Sequence, residues 1–189
     1  MSNLFFGGSS DIAIKLSKKF KNTDAVSSRK VDKSYRRVFK IKEYNLLNLN
    51  KIQNKITEKY DNVLIFNGFY SSSFLSIFNY KSFLKDFKIN FLTPIEIASF
   101  AIQKNILKKN GAIYFFSSIA ASEDLIGNAS YSISKNALNF SAKILSNEQS
   151  KRNIRINTIS LGLIENNMGL KVKKITNTKK TFTSTKYVI

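Results

Sequence analysis

Cysteine, histidine and tryptophan are absent from the 189 residues. Without cysteine there is neither a disulfide nor a thiol nucleophile. Without histidine, Ser-His-Asp triads and histidine metal ligands are excluded, and acid–base chemistry near neutral pH falls to another group. No run of about 18 apolar residues occurs, so no membrane span is expected. The opening "MSNLFFGGSS" lacks the basic and long apolar segments of a secretory signal, which gives a cytoplasmic expectation. Acidic residues are scarce, 12 against 31 basic, for a net charge of +19. That surplus invites a nucleic-acid reading. The lysines, however, are scattered along the whole chain, and Asn, Ile and Phe are abundant beside them. We read this as compositional bias and expect no specific nucleic-acid binding.

What is present suits one globular domain: the hydrophobic share is 43%. Short apolar runs alternate with helical patterns. Strands are expected at Asn3–Phe6, Asp24–Ser28, Arg37–Ile41, Asn62–Gly68, Gly111–Ser118 and Asn153–Gly162. Helices are expected at Asp11–Phe20, Leu49–Tyr60, Tyr80–Lys109 (kinked before Pro94, the only proline) and Tyr131–Gln149. Unbroken apolar strands alternating with helices predict a doubly wound parallel sheet of about six strands in three α/β/α layers. In such sheets ligands bind beyond the carboxyl ends of the strands. Residues 1–168 form the expected domain, and 169–189 a basic tail containing "KVKKITNTKK".

Two motifs carry chemistry. "FFGGSSDIA" places a glycine turn between the first strand and the first helix, where backbone can approach a phosphate at a helix N-terminus. An ordinary strand-to-helix turn looks the same, and Asp11 reads as a helix cap. "YSISK" pairs Tyr131 with Lys135 one helical turn apart. With eight tyrosines and 26 lysines in the chain, chance supplies about one such pair, so its surroundings must decide. Ser118 lies 13 residues upstream at a strand end, and Asn90 lies 28 residues before that in the long helix.

Together "GGSSDIA", "IFNG", "INF" with Asn90, "IYFFSSIAA", "YSISKNAL" and "IRINTISLGLIENNM" resemble the short-chain dehydrogenase/reductase family. The pieces fall in family order across residues 2–168. The resemblance implies a Rossmann-type fold and an NAD(P)-dependent oxidoreductase that moves a hydride between a nicotinamide and a small carbonyl or alcohol substrate. By position, Tyr131 is the acid/base and Lys135 the cation that favours its phenolate. Ser118 holds the substrate oxygen and Asn90 anchors a relay water. Gly7, Ser9, Ser10 and Ile12 match the phosphate turn, and Ser28 and Arg29 the adenosine ribose. Asn67 and Gly68 lie along the adenosine, while Gly162 and Ile164 join Tyr131 and Lys135 near the nicotinamide. Arg29, with Lys30 beside it, suits a 2′-phosphate and tilts the cofactor from NAD toward NADP. No metal is implied.

Departures from the family pattern are equally legible. Asp11 and Ala13 replace the later two turn glycines. Asn45 stands where an acid usually meets adenine, and Asn166 where a threonine meets the carboxamide. The family's last helix and strand have no counterpart before Ile189. A homo-oligomer is implied, weakened by the lack of that strand. The same departure supports an alternative: a protein derived from the family that binds nucleotide weakly or not at all and is catalytically inactive.

Overall fold

In the computed structural model, which describes residues 1–123, 125–164, 168 and 170, six strands carry buried apolar residues into the centre of the molecule. The expected Asn166 site and all of the basic tail but Leu170 fall outside the described residues. Strands β1 (Asn3–Phe6), β2 (Thr23–Ser27), β3 (Val38–Lys40), β4 (Tyr60–Ile65), β5 (Leu107–Ser118) and β6 (Arg155–Leu161) form one parallel sheet. Their order is β3-β2-β1-β4-β5-β6. The expected α/β architecture is therefore observed.

Alternation along the strands feeds two cores. Leu4 and Phe6 of β1 join Val26, Ile65 and Phe115 beneath α2 (Leu46–Ile52), α4 (Thr93–Gln103) and α5 (Ala129–Gln149). Phe5 points to the other face, with Ala25, Phe66 and Phe116, under Ala13 and Leu16 of α1 (Asp11–Ser17). A strand buried on both sides has no polar position to spare, which explains its continuous apolar sequence.

The long helix expected over Tyr80–Lys109 is not one helix. It breaks into α3 (Tyr80–Phe87), a π-helical segment at Lys88–Leu92, and α4. The Thr93 N–H reaches back five residues to the Lys88 carbonyl. Pro94 is the second residue of α4 and follows this wide turn, where it has no N–H to give to the preceding carbonyls. At the far end Asn105 adopts a left-handed φ of 51°, and the Ile106 N–H closes onto the Ala101 carbonyl at 3.0 Å. That local cap ends the helix, so Leu107–Lys109 belong to β5 instead. The second expected helix starts earlier, at Leu46, because Asn45 caps it by accepting the Asn48 N–H at 2.9 Å.

The chain runs outward from β1 to β3 and returns through α2 to β4 on the other side of β1. The topological switch point therefore lies between β1 and β4. The glycine turn leaves β1 there, and Asn67–Gly68 leave β4 beside it.

Candidate active site

At the end of β1, Gly7 has a φ of +78°, and a Cβ on it would stand 3.2 Å from the Asn67 nitrogen. Both conditions require glycine. A Cβ on Gly8 would meet the Ala25 Cβ at 2.8 Å. The Gly7 N–H is donated to the Tyr44 hydroxyl at 2.7 Å, which in turn donates to the Val26 carbonyl at 2.5 Å. Tyr44 thus bolts together the ends of β1 and β2, and burial pushes its phenol up, keeping it neutral. Ser10, rather than the expected Asp11, occupies the N-cap of α1, and Asp11 is the first helical residue. The Ser10 N–H bonds the Gly7 carbonyl at 2.9 Å. Helix geometry leaves the N–H groups of Ile12 and Ala13 without an acceptor inside the helix.

Ser28 and Arg29 lie exposed just past β2, with the Arg29 N–H on the Ser27 hydroxyl at 3.2 Å. Gly162, exposed, and Ile164, 5% exposed, follow β6. These four residues follow the carboxyl ends of β2 and β6.

The four expected catalytic residues do converge. Lys135 is buried, and its ammonium donates to the Phe116 carbonyl at 2.7 Å. Its Nζ stands 6.0 Å from the centroid of the Tyr131 ring. A Cβ on Gly68 would lie 3.7 Å from Lys135 Nζ and 3.8 Å from Asn90 Oδ1, so Gly68 keeps open the space between them. Asn90, fully buried in the π-helical segment, grips the backbone of Phe69 from both ends. Its Oδ1 accepts the Phe69 N–H at 2.7 Å and its Nδ2 donates to the Phe69 carbonyl at 2.8 Å. Ser118 ends β5; its oxygen accepts the Ala120 N–H at 3.2 Å, and its hydroxyl is near enough to the Tyr131 phenol to lower it.

The electrostatics differ from the expected division of labour. Burial pushes the Tyr131 phenol up, partly offset by the Ser118 hydroxyl, and Tyr70 raises it further. Lys135 is itself lowered to about 8, because burial disfavours its charge. In this state, then, desolvation outweighs any phenolate stabilisation by the lysine.

Three contributors were not visible beforehand. Tyr70 packs edge-on against Tyr131, with ring centroids 5.4 Å apart, and donates its hydroxyl to Asn128 Oδ1 at 2.6 Å. Tyr44 secures the glycine turn, and the Phe116 backbone seats Lys135. None carries a sequence signal, since tyrosine and phenylalanine are common here and a carbonyl belongs to every residue.

A family model described as enoyl-(acyl carrier protein) reductase matches residues 48–188. The chain belongs to the short-chain dehydrogenase/reductase family. Carbonyl reductase family member 4 of Xenopus tropicalis is 33% identical to this reductase-family chain over 91 residues, which cover 48% of this chain and 39% of that protein. Among solved structures, a short chain dehydrogenase family protein of Francisella tularensis superposes with a TM-score of 0.81 at 20% identity, over 94% of this chain and 76% of the other. BdcA in complex with NADPH superposes with a TM-score of 0.80 at 18% identity, over 99% and 83%. At these identities the structures establish the short-chain dehydrogenase/reductase fold.

The crevice residues fit a nicotinamide dinucleotide. Asn67 Oδ1 and Ser117 Oγ are buried with no hydrogen-bond partner, which is costly unless a ligand or water supplies one. Gly7 leaves room for the Asn67 backbone, and Gly68 for Lys135 and Asn90.

Proposed function

We propose that this chain is an NAD(P)-dependent oxidoreductase acting on a carbonyl/alcohol pair, with Tyr131 as its acid/base. The observation that carries the reading is the convergence of Asn90, Ser118, Tyr131 and Lys135 at the switch point of a short-chain dehydrogenase/reductase fold. NADP is favoured over NAD by the exposed Arg29–Lys30 pair past β2, and an NADPH-bound neighbour of the same fold is consistent with it. The family description and the carbonyl reductase relative support carbonyl-type substrates.

The bound cofactor supplies the hydride. Around it, Gly7, Ser9, Ser10 and Ile12 hold the phosphates, Ser28 and Arg29 the adenosine ribose, and Asn67 and Gly68 the wall between. Lys135 holds the nicotinamide ribose, and Gly162 and Ile164 flank the carboxamide. Ser118 orients the substrate oxygen by hydrogen bonding. Tyr131, pushed up by burial, is a neutral phenol near pH 7, the form that delivers a proton to that oxygen. Proton supply from solvent passes the Asn90–Lys135 side.

Titrating NADPH and NADH while following nicotinamide fluorescence tests cofactor binding, and no signal at millimolar-order cofactor overturns the reading. In a carbonyl panel Tyr131→Phe should lower kcat about 10²- to 10⁴-fold with cofactor affinity kept. Cofactor binding without oxidation by any carbonyl, and no effect of Tyr131→Phe, would establish the inactive alternative.

A further inference from the structure

Asp86 on α3 is fully buried, yet none of the ion pairs among the described residues involves it. A buried carboxylate without a cation is costly, so its remaining partners are informative. Its Oδ2 accepts from two serine hydroxyls on separate segments: Ser71 at 2.5 Å, and Ser130, the residue before Tyr131. Its Oδ1 is buried and unpartnered. Ser130, also fully buried, shares a second hydroxyl contact with Ser73 at 2.7 Å and gives its N–H to that same Ser73 oxygen at 2.9 Å. One carboxylate oxygen thus ties the start of α5 to the 68–73 loop. That loop carries Phe69, which Asn90 grips, and Tyr70, whose ring abuts Tyr131.

We propose that Asp86 is a positioning residue for the acid/base: acting through Ser130 and Ser71, it fixes the first turn of α5, and with it the Tyr131 phenol, against Tyr70 and the Asn90-held loop. The inference rests on the reading of Tyr131 given above. A simple packing role would need no carboxyl group at a buried helix–helix contact. Two hydroxyl donors converging on one oxygen define a direction as well as a distance, which apolar contact does not. Asp86 touches neither substrate nor cofactor in this scheme; it acts only through the serines.

Ser130→Ala and Asp86→Ala should each lower kcat about 10- to 100-fold, the usual scale for a misplaced reacting group. The Michaelis constant for NADPH should stay within about twofold, because the phosphate turn is untouched. Asp86→Asn keeps an oxygen able to accept both hydroxyls, and should recover most of kcat even if it melts earlier. The double variant Asp86→Ala/Ser130→Ala should lose no more than the worse single variant, since both cut one linkage. A second readout needs no turnover. The NMR ring signals of Tyr131, assigned by their loss in Tyr131→Phe, should move in Ser130→Ala and Asp86→Ala as the ring leaves the edge of Tyr70. If the wild-type chain reduces nothing, the oxidoreductase reading fails while those signals still judge Asp86. Unmoved Tyr131 signals, a kcat within about twofold of wild type, or multiplying losses in the double variant overturn the proposal. Should Asp86→Ala fail to fold, Ser71→Ala and Ser130→Ala, which each remove a single hydroxyl, decide it by the same readouts.

Discussion

Lys135 is 3% exposed with its ammonium on a backbone carbonyl rather than a carboxylate. Burial lowers it to about 8, from 10.5 in the unfolded chain. Below pH 8 the folded state therefore carries the whole cost of a buried cation, and that cost is relieved as pH rises from 8 toward 10.5. Lys135→Met should raise the stability of the unliganded protein at pH 7 by about 1–2 kcal/mol, read by chemical denaturation, with the gain shrinking above pH 8. Reductase activity should be lost in the same variant, a trade expected where function maintains an unfavourable burial. Asp24 shows the opposite sign. It is fully buried at the start of β2. Burial alone would push its carboxyl up, but hydrogen bonds from Arg36, Arg37 and Tyr60 outweigh it and hold it at about 2. Its stabilising contribution is complete above the unfolded value of 3.8 and is lost as pH falls toward 2. Asp24→Asn should therefore flatten the acid limb of the stability–pH curve, and cost about 1–2 kcal/mol near neutrality, because both guanidinium groups are partly exposed and keep Glu58 as a second partner.

The π-helical segment between α3 and α4 decides where Asn90 points. An uninterrupted α-helix advances each residue by a fixed angle, and the wider turn at Lys88–Leu92 resets that phase just at Asn90. The amide can then close both of its bonds on Phe69 and shape the loop leaving β4. Asn90→Ala would remove both side-chain hydrogen bonds to the Phe69 backbone. The expected loss is about 2–3 kcal/mol in denaturant midpoint measurements, with kcat falling alongside. Asn90→Asp should keep the bond to the Phe69 N–H but not the bond to its carbonyl, and fall between. The glycine turn is a second element of this kind: sequence placed it between strand and helix, and the Tyr44 hydroxyl holds it there.

At the scale of the molecule, the surplus of 31 basic over 12 acidic residues sets a self-repulsion that folding must overcome. The ion pairs among the described residues involve the carboxylates Asp24, Asp32, Glu58 and Asp61, too few to neutralise the cations. Raising NaCl from about 0.02 to about 0.2 M shortens the screening length from roughly 20 to 7 Å. The melting temperature should rise over that range, and a fall or no change would mean that local ion pairs outweigh the net charge. No helix among the described residues is long and apolar enough to cross a membrane.

The sequence by itself determined the alternation of buried strands and helices, hence the parallel sheet, and which four residues, Asn90, Ser118, Tyr131 and Lys135, to look for together. Those signals survive in one dimension because burial on both faces demands unbroken apolar runs and because Tyr131 and Lys135 need only one helical turn to meet. Helix ends were less legible, as a single left-handed Asn105 stopped a helix that periodicity would have carried to Lys109. Only the tertiary structure decided the electrostatics. Whether Lys135 favours the Tyr131 phenolate or has its own charge disfavoured depends on how deeply both are buried, and that burial comes from segments distant in sequence. The same holds for Asp86: nothing around "FLKDFKIN" shows that its carboxylate meets Ser71 and Ser130, since that contact exists only after α3, α5 and the loop leaving β4 have packed together.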